Sequence, residues 1–307
     1  MGGSFAGFVA RRVISSIAVV VIVAAITFVV LHVLRPEAFA DTRPLHVELG
    51  DYLWRAFVHF DLGNSSQNQL GRRPVTGLIV RGLPGDLSLL LGGLVIGVAA
   101  GMAAGAFCAV RPGSLAARAL QGAGLLALCA PVYWVGLVAI FFFAPGIGFL
   151  GLPFFPLPGT YRPITEDPLS WLHGLFVPWL ILAGPLAAMC LRMMRASAGE
   201  VLQEDFVRTG VAKGLAPRTV VRRHVFPAAG APVATLVGAN MAAIVTNLLL
   251  LEQIFDVPGV FRLTTRAMTA GDFPLLQGMV IVAAAMVVVA SFAADCVLAW
   301  LDPRVRT

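Results

Sequence analysis

The chain has 307 residues, 58% of them hydrophobic and only 12% charged, with a mean hydropathy of +0.87 and a formal net charge of +6. Ordinary soluble domains carry about a quarter charged residues, so this composition excludes a soluble globular fold and points to the membrane. A helix needs about 18 uncharged residues to cross the roughly 30 Å hydrocarbon core.

Six runs meet that requirement, at 13–34, 87–110, 119–143, 172–191, 230–251 and 274–300. Strands of a β-barrel would alternate with a period of two, which these continuous runs do not. The expected fold is an all-α polytopic membrane protein, with residues 1–307 as one transmembrane domain.

The first run follows Arg11 and Arg12 and carries His32 near its end. Ala38-Phe39-Ala40 resembles a signal-peptidase site, but the apolar run of about 22 residues exceeds the 7 to 15 of a signal-peptide core. Arg35, Pro36 and Glu37 also interrupt the approach, so the first helix is expected to be retained. The long loop at 35–86 holds Tyr52, Trp54, Phe57 and Phe60, then the turn-rich Asp61-Leu-Gly-Asn-Ser-Ser66. It predicts a short surface helix with aromatic residues at the membrane interface.

In the second run Gly93, Gly97, Gly101 and Gly105 recur every four residues beside Ala100 and Ala104. Small residues at that spacing make a smooth rail for close helix packing where lipid supplies no hydrophobic drive. The partner helix lies either in this chain or in another subunit. Pro131 in the third run, and Pro178 and Pro185 in the fourth, remove backbone hydrogen bonds at membrane depth. That predicts bends beside a pathway or simple packing kinks.

Between the fourth and fifth runs, residues 192–229 are charged and punctuated by Gly and Pro. Glu200, Glu204 and Asp205 precede Arg208 and Lys213, an order that complements a helix dipole, and Glu204 and Arg208 are spaced for an i, i+4 pair. Leu202, Phe206, Val207 and Val211 fall on one side, Gly214 suits a C-terminal stop, and Pro217 opens a second helix ending before Pro227. An amphipathic basic loop of this kind either lies on anionic headgroups or docks a soluble partner.

Asp295 is the only formal charge inside a predicted span and has no evident intramembrane partner, so a solvated or helix-capping role is expected. Lys and Arg fix the orientation, because basic residues in short loops stay cytoplasmic. With the N-terminus inside, the inner segments hold 13 of them, against Arg162, Arg262 and Arg266 in the two short outer loops. Both termini are therefore expected in the cytoplasm. The positive charge is an orientation signal, and no nucleic-acid partner is expected.

Catalytic constellations are missing from the sequence. Cys108, Cys129, Cys190 and Cys296 lie in or at the ends of spans without metal-site spacing, and His32, His46, His59, His173 and His224 form no HExxH pair. Lys213 is the only lysine, and Ala212-Lys213-Gly214 does not satisfy the phosphate-cradling GxxxxGK[ST] pattern. If transport is driven by ATP, another chain hydrolyses it.

Glu204-Asp-Phe-Val-Arg-Thr-Gly-Val-Ala-Lys-Gly-Leu215, with Val220 to His224 and Pro232, resembles the EAA loop of binding-protein-dependent ABC importer permeases, closest to the dipeptide and oligopeptide permease B branch. Asp61-Leu-Gly63, Gly71-Arg-Arg-Pro-Val75, Pro131, Glu252-Gln-Ile-Phe-Asp-Val-Pro-Gly259, Asp272-Phe-Pro-Leu-Leu-Gln-Gly278 and Leu301-Asp-Pro-Arg-Val-Arg306 are similar to that branch in the same order. Departures are Leu34-Arg-Pro-Glu37 in place of Leu-Pro-Gly-Asp-Pro, Gly210 in place of Ala, and Phe226-Pro-Ala228 in place of Leu-Arg-Asn.

The resemblance implies a type I ABC importer permease of six transmembrane helices in the bacterial inner membrane. Its loop would be a coupling helix docked on an ATPase through Asp205, Phe206, Arg208, Ala212, Lys213, Gly214 and Leu215. It further implies a second permease subunit, two ATPase subunits that bind ATP and Mg, an extracytoplasmic substrate-binding protein and a peptide substrate. Glu252, Phe255, Pro258, Gly259 and Arg262 are expected to form the outer vestibule or gate, with a plain turn between spans as the alternative. Nickel and glutathione importers share this architecture. A self-contained secondary transporter would show paired intramembrane charges or inverted repeats, which the sequence lacks.

Overall fold

A computed structural model describes residues 5–34, 43–65 and 73–301. Helices are the regular structure of the described residues, which also contain a long irregular stretch at 144–167 and one isolated bridge between Asn64 and Pro74. Ala38-Phe39-Ala40, Gly71, Arg72, Arg304 and Arg306 lie outside the described residues.

The helices in chain order are α1 (Phe5–Leu34), α2 (Leu45–Val58), α3 (Val75–Val110), α4 (Leu115–Cys129), α5 (Val132–Phe143), α6 (Pro168–Val201), α7 (Asp205–Ala212), α8 (Pro217–Val220), α9 (Phe226–Ala239), α10 (Met241–Phe255), α11 (Thr264–Ala270) and α12 (Phe273–Leu301). Four stretches, Val9–Leu34, Val75–Val110, Pro168–Val201 and Phe273–Ala299, are each long and apolar enough to cross a membrane. Two bent pairs bring the candidate crossings to as many as six, in register with the six apolar runs.

The fifth run was expected as an unbroken helix, which the structure corrects, and in the third the bend expected at Pro131 is a full break. α4 and α5 meet at 103°, with Ala130 and Pro131 extended between them. Proline's ring disfavours helical geometry in the residue before it, and proline itself cannot donate to the ladder. The second break, of 57°, falls at Asn240, whose side-chain amide donates to the Leu236 carbonyl at 2.8 Å, the same carbonyl that its backbone amide bonds at 3.2 Å, and so competes with the helical ladder. Pro178 and Pro185 produce no such break. They lie within α6, which packs along its length on α3.

The α3–α6 pair is the spine of the fold. The glycine rail meets Leu182, Leu186, Cys190 and Met194 in the same order along α6, so the two helices run parallel, and the rail's partner lies in this chain. A Cβ at Gly105 would stand 2.6 Å from the Leu191 carbonyl oxygen, which leaves room only for glycine. Around this spine α4 packs on α6, α5 on α10, α9 on both α6 and α12, and α1 on α12.

Two charged groups acquire partners that the sequence did not reveal. Asp295, expected without one, forms an ion pair with Arg12 across α1 and α12. His32 at the end of α1 places Nε2 2.9 Å from Glu48 Oε2, which ties α2 to α1, while Phe28 stacks on Tyr52 at 4.8 Å.

Candidate functional site

Two clusters carry the residues singled out by sequence, one after α6 and one after α10. In the first, α7 is a separate two-turn helix beginning beyond Glu204. Its end is a complete Schellman motif. Gly214 has φ +81°, its amide donates to Val211 at 2.9 Å, and the Leu215 amide reaches back to Gly210 at 3.2 Å. The Leu215 side chain covers the bare Cα of Gly210, where a Cβ would lie 3.5 Å from Leu215 Cδ1. Glycine at 214 is thus required by a left-handed turn, whereas at 210 an added Cβ would make only ordinary contact with Leu215.

Only Val207 of the four expected inward residues is buried. Leu202 is half-buried, Phe206 and Val211 are 50% and 56% exposed, and Leu215, just beyond the helix, is 40% exposed, so the chain itself leaves large apolar side chains uncovered here. The expected Glu204–Arg208 pair is replaced by an exposed Arg208–Asp205 contact at 3.7 Å, because Glu204 sits at the non-helical N-cap. Lys213 is the C-cap residue and Ala212 the last helical one. The second helix does not stop before Pro227. It widens through a π turn at Val221–Val225, in which the Phe226 amide bonds the Val221 carbonyl, and runs on into α9.

At the second cluster α10 ends on Asp256 in the left-handed region, φ 50°. The chain then turns sharply, and the Gly259 amide donates to the Val257 carbonyl at 2.8 Å. Glu252 accepts the Arg262 amide at 3.1 Å, Gln253 donates to the Phe261 carbonyl at 2.7 Å, and the Arg262 side chain pairs with Asp256 at 3.1 Å. Phe255, Val257, Val260 and Phe261 are buried, whereas Pro258 is exposed. Of the expected vestibule residues, Glu252, Phe255, Gly259 and Arg262 come together, and Pro258 lies at the rim.

Three residues of α3 complete this cluster, and sequence reading missed all of them. Gly82 and Gly85 let the loop backbone lie directly on α3, since a Cβ at Gly82 would stand 2.6 Å from the Val260 nitrogen. Asp86, fully buried, accepts the Val260 amide with both carboxyl oxygens at 3.2 and 3.1 Å. The available signal was an acid and two small residues on one helical face just before an apolar run. Nearby, Tyr161 is pushed up from the ordinary tyrosine range, chiefly by burial, despite a hydrogen bond with Ser88. At the start of α6 the exposed Asp167 caps the helix through Leu169 and Ser170 amides and is held below the usual carboxylate range, first by its bond with the Ser170 hydroxyl.

Comparison with known proteins places this architecture. Residues 97–307 match the family described as binding-protein-dependent transport system inner membrane component. A Brucella abortus protein named as a peptide transport system permease is 31% identical, covering 96% of this chain and 98% of its own. A Sinorhizobium fredii protein named as a peptide ABC transporter permease is 30% identical over 97% and 99%. The di/tripeptide transport system permease protein DppB of Pseudomonas aeruginosa is 29% identical over 86% and 82%. With its apolar crossings, its isolated α7 and its glycine-stopped turn, the chain belongs to the family of binding-protein-dependent transport system inner membrane components, multi-pass proteins of the bacterial inner membrane.

Proposed function

We propose that the chain is one permease subunit of an ATP-driven ABC importer for dipeptides or oligopeptides. It crosses the membrane six times with both termini in the cytoplasm and forms half of the translocation pathway with a second permease. The cargo assignment is supported by relatives named for peptide transport. Peptides need such a route because their charged ends and amides cannot enter hydrocarbon without a large penalty.

The observation that carries the coupling role is α7, an uncovered short helix whose apolar Phe206, Val211 and Leu215 face away from the rest of the fold. We assign these, with Asp205, Arg208, Ala212, Lys213 and Gly214, to the seat of an ATPase subunit. ATP and Mg would be held by that subunit. Movement of the docked helix would shift the bundle between outward- and inward-facing states. The Glu252–Arg262 loop would stand at the outer mouth, toward an extracytoplasmic binding protein.

Purification of the native protein in mild detergent tests the assembly. Recovery with an ATPase and a second permease is expected, and peptide uptake by the reconstituted complex should require ATP and a binding protein. A native preparation that carries neither companion chain, or that moves peptide without ATP, refutes the reading.

A further inference from the structure

Asp86 and Glu252 are separated by 166 residues of sequence yet meet behind the loop that follows α10. Both are fully buried. Their carboxyls lie within hydrogen-bonding reach of each other, and a Cβ on Gly259 would fall on both. The glycine is what lets the two groups approach. Asp86 is occupied by the Val260 amide, and Glu252 Oε2 by the Arg262 amide. Glu252 Oε1 is buried with no hydrogen-bond donor.

Two carboxylates cannot bond each other unless a proton lies between them. Like charges in such proximity do not both ionise, and a buried charge left unbalanced is strongly disfavoured. Among the described residues neither carboxyl forms an ion pair with a cation. The Arg262 side chain is turned toward Asp256, and the other ionisable groups facing the pair, Tyr161 and beyond it Glu166, carry no positive charge. A bound metal ion suits the site poorly, because calcium takes six to eight oxygens and the groups converging here are amide donors. Among the described residues no set of three or more His, Cys, Asp or Glu gathers for a metal.

We propose that Asp86 and Glu252 share a single proton, and that this proton latches the Val257–Arg262 loop onto α3, making Asp86 a positioning residue of the outer gate. The inference rests on the importer reading, which puts this loop at the outer mouth. With the proton in place the pair is a short bridge between α3 and α10, and Val260 hangs from it. When the external pH rises far enough to remove the proton, two negative charges face each other in a buried site, and the loop parts from α3. A subunit built this way closes its outer mouth firmly in acid and loosens it in alkali.

The test uses the whole reconstituted complex with Val257→Cys as a reporter, since Val257 is buried under the loop. A membrane-impermeant maleimide is applied from outside. Thiols react faster as pH rises, so the quantity read is the labelling rate of V257C divided by that of V257C/D86N at the same pH. Asparagine at 86 still accepts the Val260 amide and offers Glu252 an N–H that does not dissociate. The ratio is expected to rise about tenfold as pH is raised from neutral into the alkaline range, and E252Q in place of D86N should give the same result from the other side of the pair.

A ratio that stays within about twofold across that range overturns the latch. So does a response to added calcium or sodium in place of pH. Labelling requires no cargo. If the wild-type complex failed to import peptide at every pH, the cargo assignment would fall while the labelling ratio still decided the latch.

Discussion

The amide of Leu215 bonds the carbonyl of Gly210 at 3.2 Å while the Leu215 side chain roofs the same glycine. That single closure fixes how α7 ends and where its apolar residues point. The closure depends on Gly214 at φ +81°, where nothing lies within 4 Å of an added Cβ. Gly214→Ala therefore acts through backbone strain alone, about 1 to 2 kcal/mol. The complex carrying it should assemble with weaker substrate-stimulated ATP hydrolysis, and Gly214→Asn, which tolerates that conformation, should retain more. Comparing the two in lipid nanodiscs checks the claim.

Phe206 is half-exposed on α7, where Val207 is the buried residue. Phe206→Ala should leave the melting temperature of the isolated permease unchanged while weakening retention of the ATPase about tenfold, the scale of losing one aromatic anchor. A binding titration of ATPase onto permease reads this directly.

Among helical glycines the structure separates those that can be filled from those that cannot. Gly105→Val would drive a side chain into the Leu191 carbonyl and Met194, and overpacking of this kind costs about 1 to 3 kcal/mol. Gly122, in α4, has nothing within 4 Å of its missing Cβ, so Gly122→Ala should be neutral or stabilising by up to about 1 kcal/mol. Thermal unfolding of the two variants in one detergent should move in opposite directions.

Arg12 and Asp295 join the first and last long helices. Arg12→Ala and Asp295→Ala should each lower the yield of folded protein, and the double variant should lose less than the sum. The expected coupling is about 0.5 to 1 kcal/mol, modest because both groups are partly exposed. Strict additivity would show that the pair does no work.

Burial pushes the Tyr52 phenol up to about 12 from 10.0. The unfolded chain therefore ionises first, so this contribution to stability is complete below pH 10.0 and vanishes as pH climbs through about 12. In an ultraviolet titration of the chain's 3 tyrosines, Tyr52→Phe should remove a late phenolate while the raised Tyr161 still titrates. The substitution itself should be mild, because the Tyr52 hydroxyl is buried without a hydrogen-bond partner.

Length and hydrophobicity alone locate the apolar crossings, because hydrocarbon imposes a single requirement on every residue it touches. The glycine stop at 214 was equally plain, since few residues accept that turn. The breaks were harder. Pro131 ends a helix, whereas Pro178 and Pro185 do not, and the difference lies in α3 packed along α6, which no local pattern records. Asp86 was counted only among the acids of a long outer loop, because the apolar run begins at 87. The helix begins at Val75 instead, which carries the acid inside, and its partner Glu252 becomes visible only in three dimensions. Likewise Arg12 and Asp295 stand at opposite ends of the chain, and only folding introduces them.

The right-angle junction at Ala130 and Pro131 divides one crossing into two arms with separate allegiances, α4 to α6 and α5 to α10. α5 also reaches α6, and α6 touches α10 directly, so the two arms stay within one packed body. Because the two joining residues are extended, a change of angle there would break no helical hydrogen bond, which makes the junction the least costly point at which this crossing could flex.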